Sequence, residues 1–398
     1  MARTAALAIA GVTTAFVCGV ITATAAGDAG WPRLNGNVLF PATDSDTGRE
    51  LWRSDGTKAG SRRVRDIFPG PSPNNGFPGA MAKIGPRVYL RARDDQKGWE
   101  PWVTDGTNRG TRRLADVNAG TGDSLPNGFT RLGKRVLFNA FDDERGDELW
   151  RTDGTRAGTR LAVDIEPGAD GSNPGDFVRL GDVLLFNAAT EDEGREMWRT
   201  DGTRRGTRLV RDIEPGALGS NPVEPVRAGG FVFFRALTTD AGSELWRSDG
   251  TRRGTRLVRN INPADANSIP QNLARLGGRV LFSADDGANG YELWRSDGTR
   301  AGTKRIDLNP GPGGSFPGAF GPLDRDTLLF RADDGTVGSE LWRTDGTKAT
   351  TRRVRDINPG SDDSSPNEFV RFGEVIVFAA RTAATGRELW RTDGTSRG

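Results

Sequence analysis

Glu148-Leu149-Trp150-Arg151-Thr152-Asp153-Gly154-Thr155 is one of eight near-copies of a single phrase. Trp stands at 52, 102, 150, 198, 246, 294, 342 and 390, one step of 50 residues followed by six of 48. Glu lies two residues before each of these Trp, and Asp-Gly-Thr follows three to five residues after it. The full unit reads as Phe-x-Arg-Leu-Gly, Val-Leu-Phe-x-Ala, an acidic turn, Glu-Leu-Trp-Arg, the Asp-Gly-Thr turn, Thr-Arg-Leu-Val-Arg-Asp-Ile and a Pro-Gly-Ser-Pro loop. A fixed period of this length marks a chain built by repeating one supersecondary unit.

Each unit holds four short aliphatic, aromatic or β-branched segments bounded by turn formers, which predicts four strands and no helix. Val136, Leu137 and Phe138 are apolar at consecutive positions, as a strand buried on both faces requires. Asp-Gly suits a tight turn, because Gly accepts positive φ and the Asp carboxylate accepts nearby backbone N–H groups. Four-stranded units that cannot bury their apolar faces alone predict an all-β β-propeller of eight blades. The last unit stops at Gly398, just past its Asp393-Gly394-Thr395 turn, so the expected ring has one blade short of one strand. With that strand outermost, eight blades still close.

The chain divides into residues 1–26, an expected signal peptide or N-terminal anchor, and residues 31–398, a single propeller. Met1-Ala2-Arg3 is weakly basic, Ala5 to Ile21 carries no charge, and Ala23-Thr24-Ala25 has the small residues of a cleavage site. No later stretch is apolar enough to span a membrane, which predicts a secreted or cell-surface protein with a mature body free of spans. Composition narrows the chemistry. Among 398 residues there are 55 Gly and 22 Pro but no His, and the one Cys, Cys18, falls inside the leader. Imidazole catalysis, disulfides and Cys- or His-ligated metals are thereby excluded from the mature chain. The net charge of +2 and the acidic residues near each basic one read as a mixed-sign surface. No nucleic-acid partner is expected, and the chain reads as a monomer.

The phrase Gly-x-Glu-Leu-Trp-x-x-Asp-Gly-Thr resembles the bacterial family named for the ELWxxDGT repeat, over essentially all of the chain after residue 30. That resemblance implies a propeller at or outside the cell surface and no particular reaction. Pro101, Val103 and Met197 depart from the pattern. The hairpin Ala42 to Trp52 also resembles the tryptophan-docking motif of quinoprotein-type propellers, with Ala ten and Gly four residues before every repeat Trp. The motif implies that Trp packs on the adjoining blade. The vicinal cysteines and singular calcium-site acids of the quinone-dependent enzymes are missing, so a quinoprotein-like enzyme is a remote alternative.

The eight repeat Trp are therefore assigned to blade packing, and Glu148 with its equivalents to ion pairs with neighbouring Arg. Asp66, Asp116, Asp164, Asp212 and Asp356 are expected to cap the turns that follow the fourth strands. Acidic turns could ligate calcium, with Asp142, Asp143, Glu144, Asp285 and Asp286 the candidates; no other cofactor is expected. Function in a symmetric scaffold belongs where the symmetry breaks. Trp99 and Tyr291 occupy the same step in two units and are the expected ligand contacts. The resulting expectation is a non-enzymatic exported scaffold binding a protein or glycan partner. The alternative is a His-free polysaccharide hydrolase or lyase, which needs two carboxylates in unlike surroundings.

Overall fold

A computed structural model describes residues 31–70, 75–263 and 267–398. The expected leader over residues 1–26, Cys18 and part of the sixth linker lie outside the described residues. The described chain forms eight antiparallel sheets, seven of four strands and a last one of three. Blade 4 shows the pattern, with strands Gly175–Leu180, Val183–Thr190, Gly194–Thr200 and Arg208–Arg211 paired in chain order. First strands of neighbouring blades touch one another, for example Gly175–Leu180 and Val223–Ala228, so they are innermost. The fourth strand, absent from blade 8, is outermost.

The consecutive apolar residues of the second strand serve two interfaces. In blade 4, Leu185 packs with Val178, Met197 and Val210 against Val232, Phe234, Ala236 and Trp246 of blade 5. Leu184, Phe186 and Ala188 face the other way, onto Leu132, Leu137 and Leu149 of blade 3. Each blade therefore presents a leading face of Trp, Val, an aromatic or Leu, and Ala. Its trailing face carries Leu, Val and Ile. The Ala opposite Glu, as in Ala188↔Glu196, keeps the hairpin narrow at its loop end.

Among the described residues the repeated Glu makes no ion pair. Glu148 is fully buried and accepts hydrogen bonds from the backbone N–H groups of Ile165, Glu166 and Ser172 and from the Ser172 hydroxyl, all at 2.9 Å. It thus fastens the loop leaving its blade for the next, and this corrects the expected Arg pairing. Burial pushes these carboxyls up, Glu50 to about 6 and Glu100 to about 7. The fourth-strand Asp also differs from expectation. Oδ1 of Asp66, Asp116, Asp164, Asp212 and Asp356 is buried with no hydrogen-bond partner among the described residues, so this oxygen caps nothing. Cations approach some of the other oxygens, as Lys97 does Asp116 at 2.6 Å.

The Asp-Gly-Thr turn connects blades as well as strands. Asp153 Oδ1 accepts from the Thr155 N–H and hydroxyl, and Gly154 sits at φ 87. The equivalent Gly202 carbonyl accepts the Arg151 guanidinium of the preceding blade at 3.0 Å. Blade 2, where Val103 replaces that Arg, uses Arg112 instead, bonded to the Gly154 carbonyl at 2.6 Å.

The seam between blades 8 and 1 is different. Leu389, Phe372 and Val370, on the trailing side of blade 8, are 76%, 70% and 42% exposed. Val38, Phe40, Ala42 and Trp52, the leading face of blade 1, are only half-buried. A Cβ at Gly56 would meet nothing within 4 Å, whereas those at the other seven turn glycines would meet the blade before. Eight blades are present with the missing strand outermost, yet this face pair stays uncovered, contrary to the expected closure.

Candidate functional site

Three steps of the repeat are not conserved between its copies. One is the second residue of the innermost strand: Ala80, Gly128, Asp176, Glu224, Asn272, Ala319 and Glu368. Another lies in the second strand before the conserved Ala, where Pro41, Arg91, Asn139, Asn187, Arg235, Ser283, Arg331 and Ala379 stand. The third precedes the repeat Glu, with Arg49, Trp99, Asp147, Arg195, Ser243, Tyr291, Ser339 and Arg387. All three lie near the end of the blade where the chain arrives from its predecessor. A bulge in each described innermost strand from blade 2 onward interrupts the ladder, as between Gly175 and Val178. The residue inside the bulge takes a left-handed conformation, Asp176 and Glu224 both at φ 53. Non-glycine residues rarely adopt it, and the bulge turns them out of the sheet register.

Blades 4 and 5 place opposite charges and amides together there. Asn187 is buried and donates through Nδ2 to Asp176 Oδ2 at 2.9 Å and to the Pro222 carbonyl of the next blade at 3.0 Å. Its Oδ1 accepts from Arg195 at 2.9 Å, and Arg195 also donates to the Asn173 carbonyl. Burial raises the Asp176 carboxyl above its ordinary range. The Asn187 bond and Arg195 pull it down, and the nearby Glu224 charge pushes it up again. Glu224 is half-exposed, 3.9 Å from Arg235, with its Oε2 3.5 Å from the Leu273 N–H of blade 6. Arg235 reaches the Pro270 carbonyl and lies close enough to Tyr291 to lower its hydroxyl, which burial and Asp285 raise. Asp176 and Glu224 occupy equivalent steps of adjacent blades and both are half-buried, but one is amide-bound while the other lies beside a cation.

The expected contacts at Trp99 and Tyr291 belong to this variable region, but neither side chain stands free. Both are half-buried; Trp99 packs on Phe77 at 5.8 Å and Tyr291 on Phe316 at 5.9 Å. Arg91 lies over Trp99 at 5.1 Å. The repeat Trp sit in the blade interfaces: Trp102, Trp150, Trp246, Trp294 and Trp342 are buried, Trp52, Trp198 and Trp390 partly so. Trp294 Nε1 donates to the Ala284 carbonyl at 3.1 Å, tying Trp to the Ala ten residues before it.

The acidic turns spend their carboxylates locally. Asp142 accepts from the N–H groups of Glu144 and Arg145 and pairs with Arg145 at 3.1 Å. Glu144 also pairs with Arg145, and Asp143 bonds Asn118. Asp285 accepts from the Gly287 N–H, and Asp286 from Ala288 and Asn289 while pairing with Arg305 at 2.6 Å. Among the described residues no three His, Cys, Asp or Glu side chains gather as a metal site.

Asp176, Asn187, Glu224 and Arg235 were not singled out by the sequence reading. The signal lies in the sequence itself: aligned by repeat step, the eight copies show the same three variable columns, of which side-chain size marks only the one holding Trp99 and Tyr291.

No family model matches the chain, and no curated protein does. Among solved structures it is similar to a Mycobacterium tuberculosis puromycin-hydrolyzing peptidase, at 13% identity and TM-score 0.44, over 80% of this chain and 52% of that one. It is similar to a prolyl endopeptidase at 15% identity and TM-score 0.47, over 80% and 48%. A third is the β-propeller domain of the Trilobed protease from Pyrococcus furiosus, 14% identical with TM-score 0.39, over 80% and 95%. The chain spans about half the length of the first two, and likeness at this level assigns it no activity. These solved proteins are described as peptidases and a protease, at odds with the non-enzymatic scaffold expected from the sequence, which is not carried further.

Proposed function

We propose that the propeller is a polysaccharide hydrolase working through Asp176 and Glu224, delivered outside the cell by its N-terminal leader. The carrying observation is that these two carboxyls occupy adjacent blades in unlike surroundings, with no eightfold copies. Glycoside hydrolysis without His or metal needs one protonated and one ionised carboxyl flanking the bond. Asp176, raised by burial, suits the acid that protonates the leaving oxygen as the glycosidic C–O bond breaks. Glu224, beside Arg235, suits the base that takes a proton from the attacking water, whose oxygen bonds to the anomeric carbon. Asn187, itself held by Arg195, fixes the Asp176 carboxyl and leaves Arg235 and Tyr291 to orient sugar hydroxyls.

The test is release of reducing ends from a panel of neutral and acidic polysaccharides. Asp176→Asn and Glu224→Gln should each lower the rate about 100-fold or more with folding intact. Ultraviolet-absorbing unsaturated ends would assign a lyase instead. Turnover that survives both substitutions, or no turnover on any polymer, contradicts the reading.

A further inference from the structure

The opposite face of the ring carries the turns between first and second strands together with the Asp-Gly-Thr turns. Seven of the eight innermost strands place an exposed cation just before this face, from Arg33 in blade 1 to Arg371 in blade 8, with Pro322 in blade 7. Among the described residues none of the seven has a carboxylate partner. One basic residue per repeat is inconspicuous along the sequence, but the propeller brings each copy to the inner edge of the same face. The mixed-sign surface expected from the sequence is therefore sorted here into a basic rim.

The rim deepens between blades 2 and 3. A cavity of about 190 Å³ is lined by Arg87, Arg131, Lys134 and Arg135 together with Tyr89, and no carboxylate lines it. Two of the four cations are held by hydrogen bonds and a third packs on the next blade. Arg131 Nε donates to the Gly133 carbonyl at 3.0 Å, Arg135 to the Gly202 carbonyl at 3.3 Å, and Arg87 lies against Gly154. Asp105 and Asp153 feel the charge of Arg87, but both hold the Thr two residues on in their own turns. The concentration is local. The same turn carries Asp182 in blade 4, Asp324 and Asp326 in blade 7 and Glu374 in blade 8.

We propose that this cavity binds a doubly charged oxyanion, a phosphate or sulfate group, at a site separate from Asp176 and Glu224. Fixed guanidinium groups present paired N–H donors that match the oxygens of such a group, and Lys134 adds an untethered charge at the mouth. Binding relieves the mutual repulsion of the four cations, none of which has a carboxylate partner among the residues lining the cavity.

The test is calorimetry on the full chain at fixed ionic strength, with inorganic phosphate, inorganic sulfate, a sulfated disaccharide and its unsulfated counterpart. Binding of an inorganic ion as tight as that of the ester identifies a free oxyanion; tighter binding of the sulfated sugar identifies a group carried on a glycan. Either should fall about tenfold or more in Arg131→Glu and in the milder Lys134→Ala. Arg275→Glu, at the same strand step outside the cavity, should change it by less than about twofold. No binding of any charged probe, or binding indifferent to Arg131 and Lys134, overturns the proposal.

Discussion

The interface between blades 5 and 6 and the seam between blades 8 and 1 are built from the same template. At the first, Leu245 is fully buried and packs with Val258 and Ile261 against Phe282, Ala284 and Trp294. At the second, the equivalent Leu389 is 76% exposed, and Glu388, equivalent to the buried Glu244, is exposed as well. Identical local sequence, Glu-Leu-Trp-Arg, thus yields a core or a surface according to what lies beside it. The Glu owes its burial to the loop that donates to it, which in blade 5 supplies the Ile261 and Asn262 N–H groups and the Ser268 hydroxyl. Among the described residues no backbone N–H or hydroxyl takes that place beside Glu388. Burial of the template's apolar side chains therefore depends on the neighbouring blade.

The comparison can be broken by substitutions at matched steps. Trp294→Ala, which empties a buried interface, should cost about 3–5 kcal/mol in urea unfolding. An effect near zero would mean that the repeat Trp are ornaments of the hairpin. Leu245→Ala should cost about 2–5 kcal/mol, whereas Leu389→Ala should stay within about 0.5 kcal/mol. Equal losses at the two sites would show that the seam is closed in solution. Glu244→Gln, which replaces an acceptor oxygen with a donor facing backbone N–H groups, should cost about 1–3 kcal/mol, and Glu388→Gln almost nothing. The buried Glu also set a pH trend. Their folded carboxyls are raised, so the stability they contribute is fully present below the ordinary Glu range. It is lost as pH rises through about 6 at Glu50 and about 7 at Glu100. Unfolding midpoints measured from pH 5 to 8 should therefore decline in part, and Glu100→Gln should flatten the decline. A trend that Glu100→Gln leaves unchanged would assign it elsewhere.

The architecture was legible because the repeat states it eight times: Val136, Leu137 and Phe138 announce a strand buried on both faces, and the Trp period counts the blades. The role of Glu148 was hidden, since its partners are backbone N–H groups 17 to 24 residues further on. The site was hidden for a different reason. Asp176 and Glu224 look like loop residues, and only the bulge and the inward position of the first strand reveal that they share a rim. Trp99 and Tyr291 were conspicuous by size, while the neighbouring columns differ in charge, which no hydrophobic pattern reports. The cationic rim was equally invisible at one residue per 48.

The central claim is that function resides in the residues that differ between blades, and above all in the unlike pair Asp176 and Glu224. Carboxyl-selective NMR titration of the full chain, with and without Glu224→Gln, tests it most directly. Asp176 should titrate above the ordinary Asp range, and removing the Glu224 charge should lower its midpoint. An Asp176 that titrates as an ordinary surface carboxylate, unmoved by Glu224→Gln, would contradict the account.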